Sequence, residues 1–221
     1  MYPSQQTFLV LGLSRSGTAV AEFLLKNNAT VYLYDDLTSE NLEKTTCALE
    51  KLGGKRVKKD ELPKMQEICD AVVLSPGIPI DHPVSISFRR AGKGILGEAE
   101  LAARLMRCPI VAVTGTNGKT TTVSMIEKVL QESGKKAEAC GNVGSPMIKH
   151  LNLTAEDVAV AEISSFQLET LNSLCPHIAV VLNVTEDHLN RHYNMENYIF
   201  LKKKILKNAT ETEYAVLNYD D

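Results

Sequence analysis

Val111-Ala112-Val113-Thr114-Gly115-Thr116-Asn117-Gly118-Lys119-Thr120-Thr121-Thr122 runs from a short apolar strand through a glycine loop into the first turn of a helix. A strand that opens directly into a helix is the building unit of parallel α/β folds. Glycines let successive backbone N–H groups turn inward around phosphate oxygens. The helix N-terminus adds favourable partial charge for an anion. In such a loop Lys119 bridges the outer phosphates and Thr120 offers its hydroxyl to Mg²⁺. The loop is shorter than the usual GxxxxGK[ST], because position 113 is Val and the first glycine is Gly115. The simpler alternative is a glycine turn before a Thr-capped helix. The coincidence of strand, glycines, lysine, threonine and helix favours the phosphate loop.

On both sides of this loop short apolar strands alternate with helices. Upstream, strands are expected at 7–11, 30–34 and 70–74. Helices are expected at 16–28, from Ser39 to Gly53-Gly54, and at 97–106. Downstream, strands are expected at 157–162, 178–182 and 214–217, with helices at 120–132 and 194–208. Short buried strands separated by helices imply parallel sheets covered on both faces. The pattern restarts near Arg107-Cys108-Pro109. Two domains are therefore expected: a Rossmann-like parallel-sheet domain at 1–106 and a P-loop-type α/β domain at 107–221.

Length and composition agree. At about 150 residues per domain, 221 residues make one large domain or two modest ones. Hydrophobic residues at 44% and charged residues at 23% exclude a disordered chain, a collagen and a disulfide mini-protein. With 24 basic and 27 acidic residues the net charge is −3, and no clustered basic surplus marks a nucleic-acid surface. Lys202-Lys203-Lys204, the basic triplet, reads first as a solvated helix face. No apolar run is long enough to span a bilayer. Met1-Tyr2-Pro3-Ser4-Gln5-Gln6 has neither the basic start nor the apolar core of a signal peptide. Cys47, Cys69, Cys108, Cys140 and Cys175 form no CxxC pair, so they are read as packing residues in a reducing cytoplasm.

Four further stretches carry chemistry. Ala161-Glu162-Ile163-Ser164-Ser165-Phe166-Gln167-Leu168-Glu169 begins at a strand end, where open α/β sheets bind ligands. A carboxylate there, Glu162, suits Mg²⁺, which takes oxygen ligands beside phosphates. A capping or salt-bridged acid is the alternative. Cys140-Gly141-Asn142-Val143-Gly144 reads alone as a turn. In Asn183-Val184-Thr185-Glu186-Asp187-His188-Leu189-Asn190-Arg191-His192 the two histidines share a helix face. Leu189 stands where HExxH needs an acid, which argues against a two-histidine zinc site. Gly12-Leu13-Ser14-Arg15-Ser16-Gly17 follows a strand, with Asp35 beyond the next one. Ser14 replaces the middle glycine of a dinucleotide fingerprint, so an NAD site is disfavoured.

Thr114-Gly115-Thr116-Asn117-Gly118-Lys119-Thr120 resembles the ATP loop of the Mur ligase and folylpolyglutamate synthetase superfamily. The string from Ala161 to Glu169 is similar to that of its D-glutamate-adding branch. The resemblance covers nearly the whole chain, with its motifs in family order. It implies an ATP-dependent ligase of peptidoglycan precursor synthesis. Its partners would be UDP-N-acetylmuramoyl-L-alanine and D-glutamate, and its cofactors ATP and two Mg²⁺ ions. The implied reaction makes an acyl phosphate, which the D-glutamate amine then attacks.

The resemblance also implies site residues. Gly115, Thr116, Asn117, Gly118, Lys119, Thr120 and Thr121 would bind ATP. Thr120, Glu162, His188 and a carbamylated Lys202 would hold the metals, with Lys203 as the alternative register. Lys119, His188 and Lys202 would carry the catalysis. Asn142, Ser164 and Gln167 would meet substrate, and Asp187 would orient the metal site. His192 is kept structural. In the first domain Arg15 and Ser16 would face a diphosphate and Asp35 the uracil, with Ser75, Pro76 and Gly77 lining the same crevice. Gly97-Glu98-Ala99-Glu100-Leu101 resembles the family's helix start into the ATP domain. The expected protein is cytoplasmic and monomeric, without nucleic-acid or membrane partners. The family's remaining ATP-domain segment and its third domain are expected to be absent from these 221 residues, leaving the chain inactive by itself. A Mur-type ligase for another amino acid, a dehydrogenase and a non-catalytic nucleotide-binding module stand as alternatives.

Overall fold

The computed structural model describes residues 4–220; Met1, Tyr2 and Pro3 of the N-terminal stretch, and Asp221, lie outside the described residues. By its contacts the chain divides into two units, Met1–Glu98 and Ala99–Asp221.

The first unit contains β1 (Thr7–Leu11), α1 (Arg15–Lys26), β2 (Thr30–Tyr34), α2 (Glu40–Lys51) and β3 (Lys55–Arg56). A 3-10 turn, Lys59–Lys64, leads into α3 (Met65–Ile68), β4 (Ala71–Leu74), α4 (Pro83–Arg90) and β5 (Gly94–Gly97). The sheet order is β3-β2-β1-β4-β5, and every pairing is parallel. Leu9, Leu11, Val72, Leu74 and Phe88 form the centre of its core. The sequence signals act as expected at the helix starts. The Ser39 hydroxyl accepts the Leu42 N–H at 3.2 Å, satisfying a donor that the first helical turn leaves open. Pro83 opens α4, where a missing N–H costs nothing.

The second unit takes up α5 (Glu98–Leu105), then β6 (Ile110–Thr114), α6 (Lys119–Glu132), β7 (Ala137–Gly141), β8 (Val158–Glu162) and α7 (Ser165–Thr170). It continues with β9 (Ile178–Val181), α8 (Leu189–His192), α9 (Met195–Lys203) and β10 (Tyr214–Leu217). The order is β10-β9-β6-β8-β7, again parallel throughout. Val111, Val113, Val123, Val160 and Val180 form the centre of this core. Among the described residues no helix is long and apolar enough to cross a membrane.

Three differences from the sequence expectation have physical causes. The sequence restarts near residue 107, yet the contacts divide the chain at 98/99. Helix α5 goes with the second unit because the fully buried Glu100 accepts the Asn172 and Ser173 N–H groups at 2.6 and 2.8 Å. The helix expected over 194–208 stops at Lys203 and tightens into a 3-10 turn, Lys204–Leu206. Strands β3, β5 and β7 add to those expected. Their residues are charged, glycine-flanked or small, so they carry little strand signal of their own.

Glu100 also accepts the Ser173 hydroxyl at 2.7 Å and pairs with Arg104 at 2.6 Å. Burial pushes its carboxyl up, but these donors outweigh burial and hold it below the usual range. A carboxyl lowered in this way stabilises the fold above its unfolded value and loses that contribution as pH falls through the folded value. Glu100→Ala is expected to cost about 2 kcal/mol at neutral pH, because it strips the acceptor from several donors at once. Urea titrations of the two proteins should converge as the pH is taken below the ordinary carboxylate range.

Candidate functional site

In the first unit the sheet reverses its strand order at β1, which lies between β2 and β4. Ligands of open α/β sheets bind in the crevice beyond such a reversal. Gly12 ends β1 at φ 87°, and a Cβ there would meet the Ser75 Cβ at 2.8 Å. That close approach brings the β1 and β4 loops together, and the Ser14 and Ser75 hydroxyls lie 2.5 Å apart. Ser14 caps α1 with no side-chain bond to its backbone. Arg15 is exposed, Ser16 and Ser75 are buried, Pro76 is half-buried and Gly77 is exposed.

Asp35 has a structural task in this state. Its Oδ2 accepts the Leu13 N–H at 2.7 Å and its Oδ1 accepts the Leu37 N–H at 2.9 Å. It also lines a cavity of about 500 Å³ with Tyr34, Ser39, Thr46 and Arg56. The Tyr34 hydroxyl donates to Asp36 at 2.8 Å. Burial and that carboxylate push the Tyr34 phenol up to about 12.

In the second unit three strand ends converge. Parallel register sets Glu162 beside Val113 and Gly141. The Thr120 hydroxyl, in the first turn of α6, donates to Glu162 Oε2 at 2.7 Å. The Asn142 amide donates to Glu162 Oε1, also at 2.7 Å. Gly141 has φ 94°, and a Cβ there would sit 2.3 Å from the Glu162 carbonyl oxygen. Glycine is thus required for the Asn142 loop to lie against β8. The far side of that loop is pinned by Ser145, which meets the His150 ring, and by His150 Nδ1, which is 2.6 Å from Glu138 Oε2. Glu162 is buried at 2% exposure, and its hydrogen-bonding partners are a hydroxyl and an amide.

Both lysines of the region fold onto the phosphate loop. Lys119 Nζ donates to the Gly115 and Thr116 carbonyls at 2.9 and 2.7 Å. Lys202 Nζ reaches the Gly115 carbonyl at 2.8 Å and lies 4.4 Å from the Tyr198 ring centroid. Lys202 is 2% exposed, whereas Lys203 is exposed. Burial, and then the Lys119 charge, lower the Lys202 amine to about 8.

The remaining expected residues are placed as follows. Asn117, Gly118, Thr120 and Thr121 are exposed along the loop and the start of α6. Ser164 and Gln167 are engaged in a capping box at the start of α7: Gln167 N donates to Ser164 Oγ at 3.3 Å and Ser164 N to Gln167 Oε1 at 2.9 Å. His188 is half-exposed, with Nε2 3.4 Å from Asp187 Oδ2 and its ring 4.8 Å from Phe166. Among the described residues no hydrogen bond joins His188 to Thr120 or Glu162. His192 is buried against Ser165, its Nε2 2.9 Å from Ser165 Oγ, and burial pushes its imidazole down. That is the structural role expected of it.

The sequence reading gave no task to Asn183 or Tyr198, and both touch the loop. Asn183 bonds to Thr116 and Asn117, and the Tyr198 hydroxyl lies 3.2 Å from Thr116 Oγ1. The signal for Asn183 was its position, directly after a buried strand and ahead of Asp187-His188.

Among the described residues no group of three or more His, Cys, Asp or Glu side chains gathers as a metal cage. The Thr120–Glu162 pair nevertheless fits magnesium. A hydroxyl and a carboxylate at a phosphate loop are the hard oxygen donors that this ion takes, with phosphate and water completing its shell.

Residues 6–97 match the MurD-like N-terminal domain of Mur ligases, and residues 113–221 match the Mur ligase middle domain. The UDP-N-acetylmuramoylalanine–D-glutamate ligase of Thermoanaerobacter sp. (strain X514) is 43% identical over 218 residues, 96% of this chain and 47% of the relative. The ligase of the same name from Clostridioides difficile (strain 630) is 38% identical over 215 residues, covering 96% and 48%. The chain thus spans about half the length of the curated relatives it matches. The UDP-N-acetylmuramate:L-alanyl-γ-D-glutamyl-meso-diaminopimelate ligase from Neisseria meningitides shares the fold, with a TM-score of 0.61 at 16% identity over 99% of this chain and 72% of that one. The MurF ligase of Thermotoga maritima, solved in complex with ADP, aligns with a TM-score of 0.50 at 18% identity, over 99% and 44%. The chain belongs to the Mur ligase family.

The depressed Lys202 amine is directly testable. In protein labelled at lysine Cε, the Lys202 resonance, assigned by its loss in Lys202→Arg, should titrate with a midpoint near 8. A midpoint at the ordinary 10.5 contradicts the burial argument. Since the folded value lies below the unfolded one, the unfolded chain binds more protons between about 8 and 10.5. Stability should therefore rise with pH across that window, and Lys202→Met should flatten the rise.

Proposed function

We propose that this chain supplies the nucleotide-sugar and ATP-phosphate sites of a ligase that joins D-glutamate to UDP-N-acetylmuramoyl-L-alanine. The observation that carries the proposal is Thr120–Glu162–Asn142, a hydroxyl, a buried carboxylate and an amide joined at the opening of a phosphate loop. The likeness to ligases of that name at about 40% identity supports the choice of substrates.

The reaction transfers the γ-phosphoryl group of ATP to the alanyl carboxylate. A carboxylate oxygen forms the new bond to phosphorus while the bond to the ADP oxygen breaks. The D-glutamate amine then attacks the acyl carbon, phosphate leaves with the electron pair of its C–O bond, and the nitrogen gives up a proton. Lys119 would turn from the Gly115 and Thr116 carbonyls to the phosphates and offset charge on the transferring group. Magnesium, when bound, neutralises phosphate oxygens during that transfer. Thr120 and Glu162 would hold it, with His188 and Lys202 serving a second ion.

Lys202 would serve as a carbamate. Carbon dioxide adds to a neutral amine, the nitrogen loses a proton, and a carboxylate-like ligand replaces a cation. An amine lowered to about 8 is neutral far more often near physiological pH than an exposed lysine is. In this reading Asn142 orients the substrate next to Glu162. In the first unit, Arg15 and Ser16 meet the diphosphate and Asp35 meets the uracil, with Ser75, Pro76 and Gly77 lining the crevice. The protein acts in the cytoplasm, as a monomer.

Calorimetric titration of this chain with UDP-N-acetylmuramoyl-L-alanine, with NAD as the control ligand, tests the first unit. Binding of the uridine nucleotide and not NAD is expected; binding of NAD alone overturns the proposal. For the second unit, Lys119→Ala should weaken ATP binding by about tenfold or more, the scale of one hydrogen bond from a charged group. An unchanged affinity would remove the phosphate role of Lys119.

A further inference from the structure

Asn183 follows β9 and faces the phosphate loop across the sheet's carboxyl edge. Its Oδ1 accepts two successive N–H groups of the loop, Thr116 N at 3.1 Å and Asn117 N at 2.8 Å. Its Nδ2 donates back to the Asn117 carbonyl at 3.1 Å. The Asn183 carbonyl also accepts the Thr116 N–H at 2.9 Å. Successive N–H groups that converge on one oxygen form the kind of nest that binds anions. Here a carboxamide oxygen of the chain itself occupies it.

Two consequences follow. The Thr116 and Asn117 N–H groups are committed to Asn183, so they are not the ones that meet phosphate. The loop is also set in its cupped shape before any ligand arrives, because one side chain satisfies a donor pair and an acceptor together. The asparagine carboxamide offers an acceptor and a donor on one short side chain. Aspartate would place a lone pair against the Asn117 carbonyl and a negative charge beside the phosphate site.

We infer that Asn183 is a positioning residue for phosphate binding: it templates residues 115–117 and leaves the amides of Gly118, Lys119 and Thr120 to receive the nucleotide phosphate. This rests on the reading of the loop as an ATP site.

The test uses the 221-residue chain, labelled with ¹⁵N, in three forms: wild type, Asn183→Ala and Lys119→Ala. ADP with Mg²⁺ is the probe. In the wild type the Gly118, Lys119 and Thr120 amides should shift on ADP addition, while the Thr116 and Asn117 amides stay protected from hydrogen exchange throughout. Asn183→Ala should lose the Asn117 protection in the free chain, while Thr116 keeps its bond to the Asn183 main-chain carbonyl, and should bind ADP about tenfold or more weakly, the scale of one to two lost hydrogen bonds. Amides of the β6 and β8 core should keep their protection, which separates loop shape from unfolding. Asn183→Asp keeps the acceptor and should retain protection of the two amides; its ADP affinity should fall for a separate reason, the added charge beside the phosphate site.

Wild-type affinity in Asn183→Ala, alongside loss of binding in Lys119→Ala, overturns the inference and leaves the ATP reading intact. ADP binding that ignores Lys119→Ala overturns the ATP reading and, with it, the inference. Without ADP binding by any form, the ATP reading fails; the positioning role in phosphate binding falls too. Persistent protection of Asn117 in Asn183→Ala overturns the inference in every case.

Discussion

Parallel pairing makes every strand of a sheet end on the same side, and in this chain the polar chemistry collects where the strands stop. In the second unit β6, β8 and β7 are neighbours, so whatever follows each one is brought together. Thr120, Glu162 and Asn142 are far apart in sequence and meet for that reason alone. The first unit repeats the logic at β1 and β4, where Ser14 and Ser75 touch. Strand interiors supply the buried aliphatic core, and strand ends are free to carry hydroxyls, carboxylates and amides.

Charge is managed differently in the two units. Around the cavity of the first, the carboxylates are tied to backbone N–H groups and to neighbouring side chains, as Asp35 is to Leu13 and Leu37. Around the loop of the second, two lysines converge on one carbonyl, that of Gly115. Burial, and then the Lys119 charge, raise the cost of protonating Lys202, which bends its balance toward the neutral form. An amine so placed differs chemically from its neighbour Lys203, although the sequence presents the two as equals.

The unit of strand, glycine loop and helix was legible because several independent signals fall together between Val111 and Thr122. Glu162 was legible because a carboxylate at a strand end is unusual enough to notice. What the sequence could not convey was which contacts use up a side chain. Ser164 and Gln167 have the residue types of a binding site, but they close a capping box at the start of α7. Asp35 was expected to face a ligand, and each of its oxygens also holds one backbone N–H group, a second task that the sequence does not display. Asn183 passed unremarked because its task depends on residues 116 and 117, which only the sheet order brings near. Strands β5 and β7 escaped for a related reason: glycine, alanine and cysteine become strands when neighbours offer a ladder, not by preference.

Gly141 carries a consequence for the ways this site can vary. A Cβ at this position would lie 2.3 Å from the Glu162 carbonyl oxygen, so no other residue fits without moving β8. The loop bearing Asn142 and the carboxylate of Glu162 are therefore geometrically locked to each other, like two teeth of one gear. Gly144 is held as well, since at φ 70° a Cβ there would lie 2.9 Å from the Ala139 carbonyl oxygen, so sequence drift is left with the side chain of Val143 between the two glycines and cannot adjust one tooth while sparing the other. Any directed search for altered acceptor preference would find its accessible variation on the outer rim of this loop, with its root fixed.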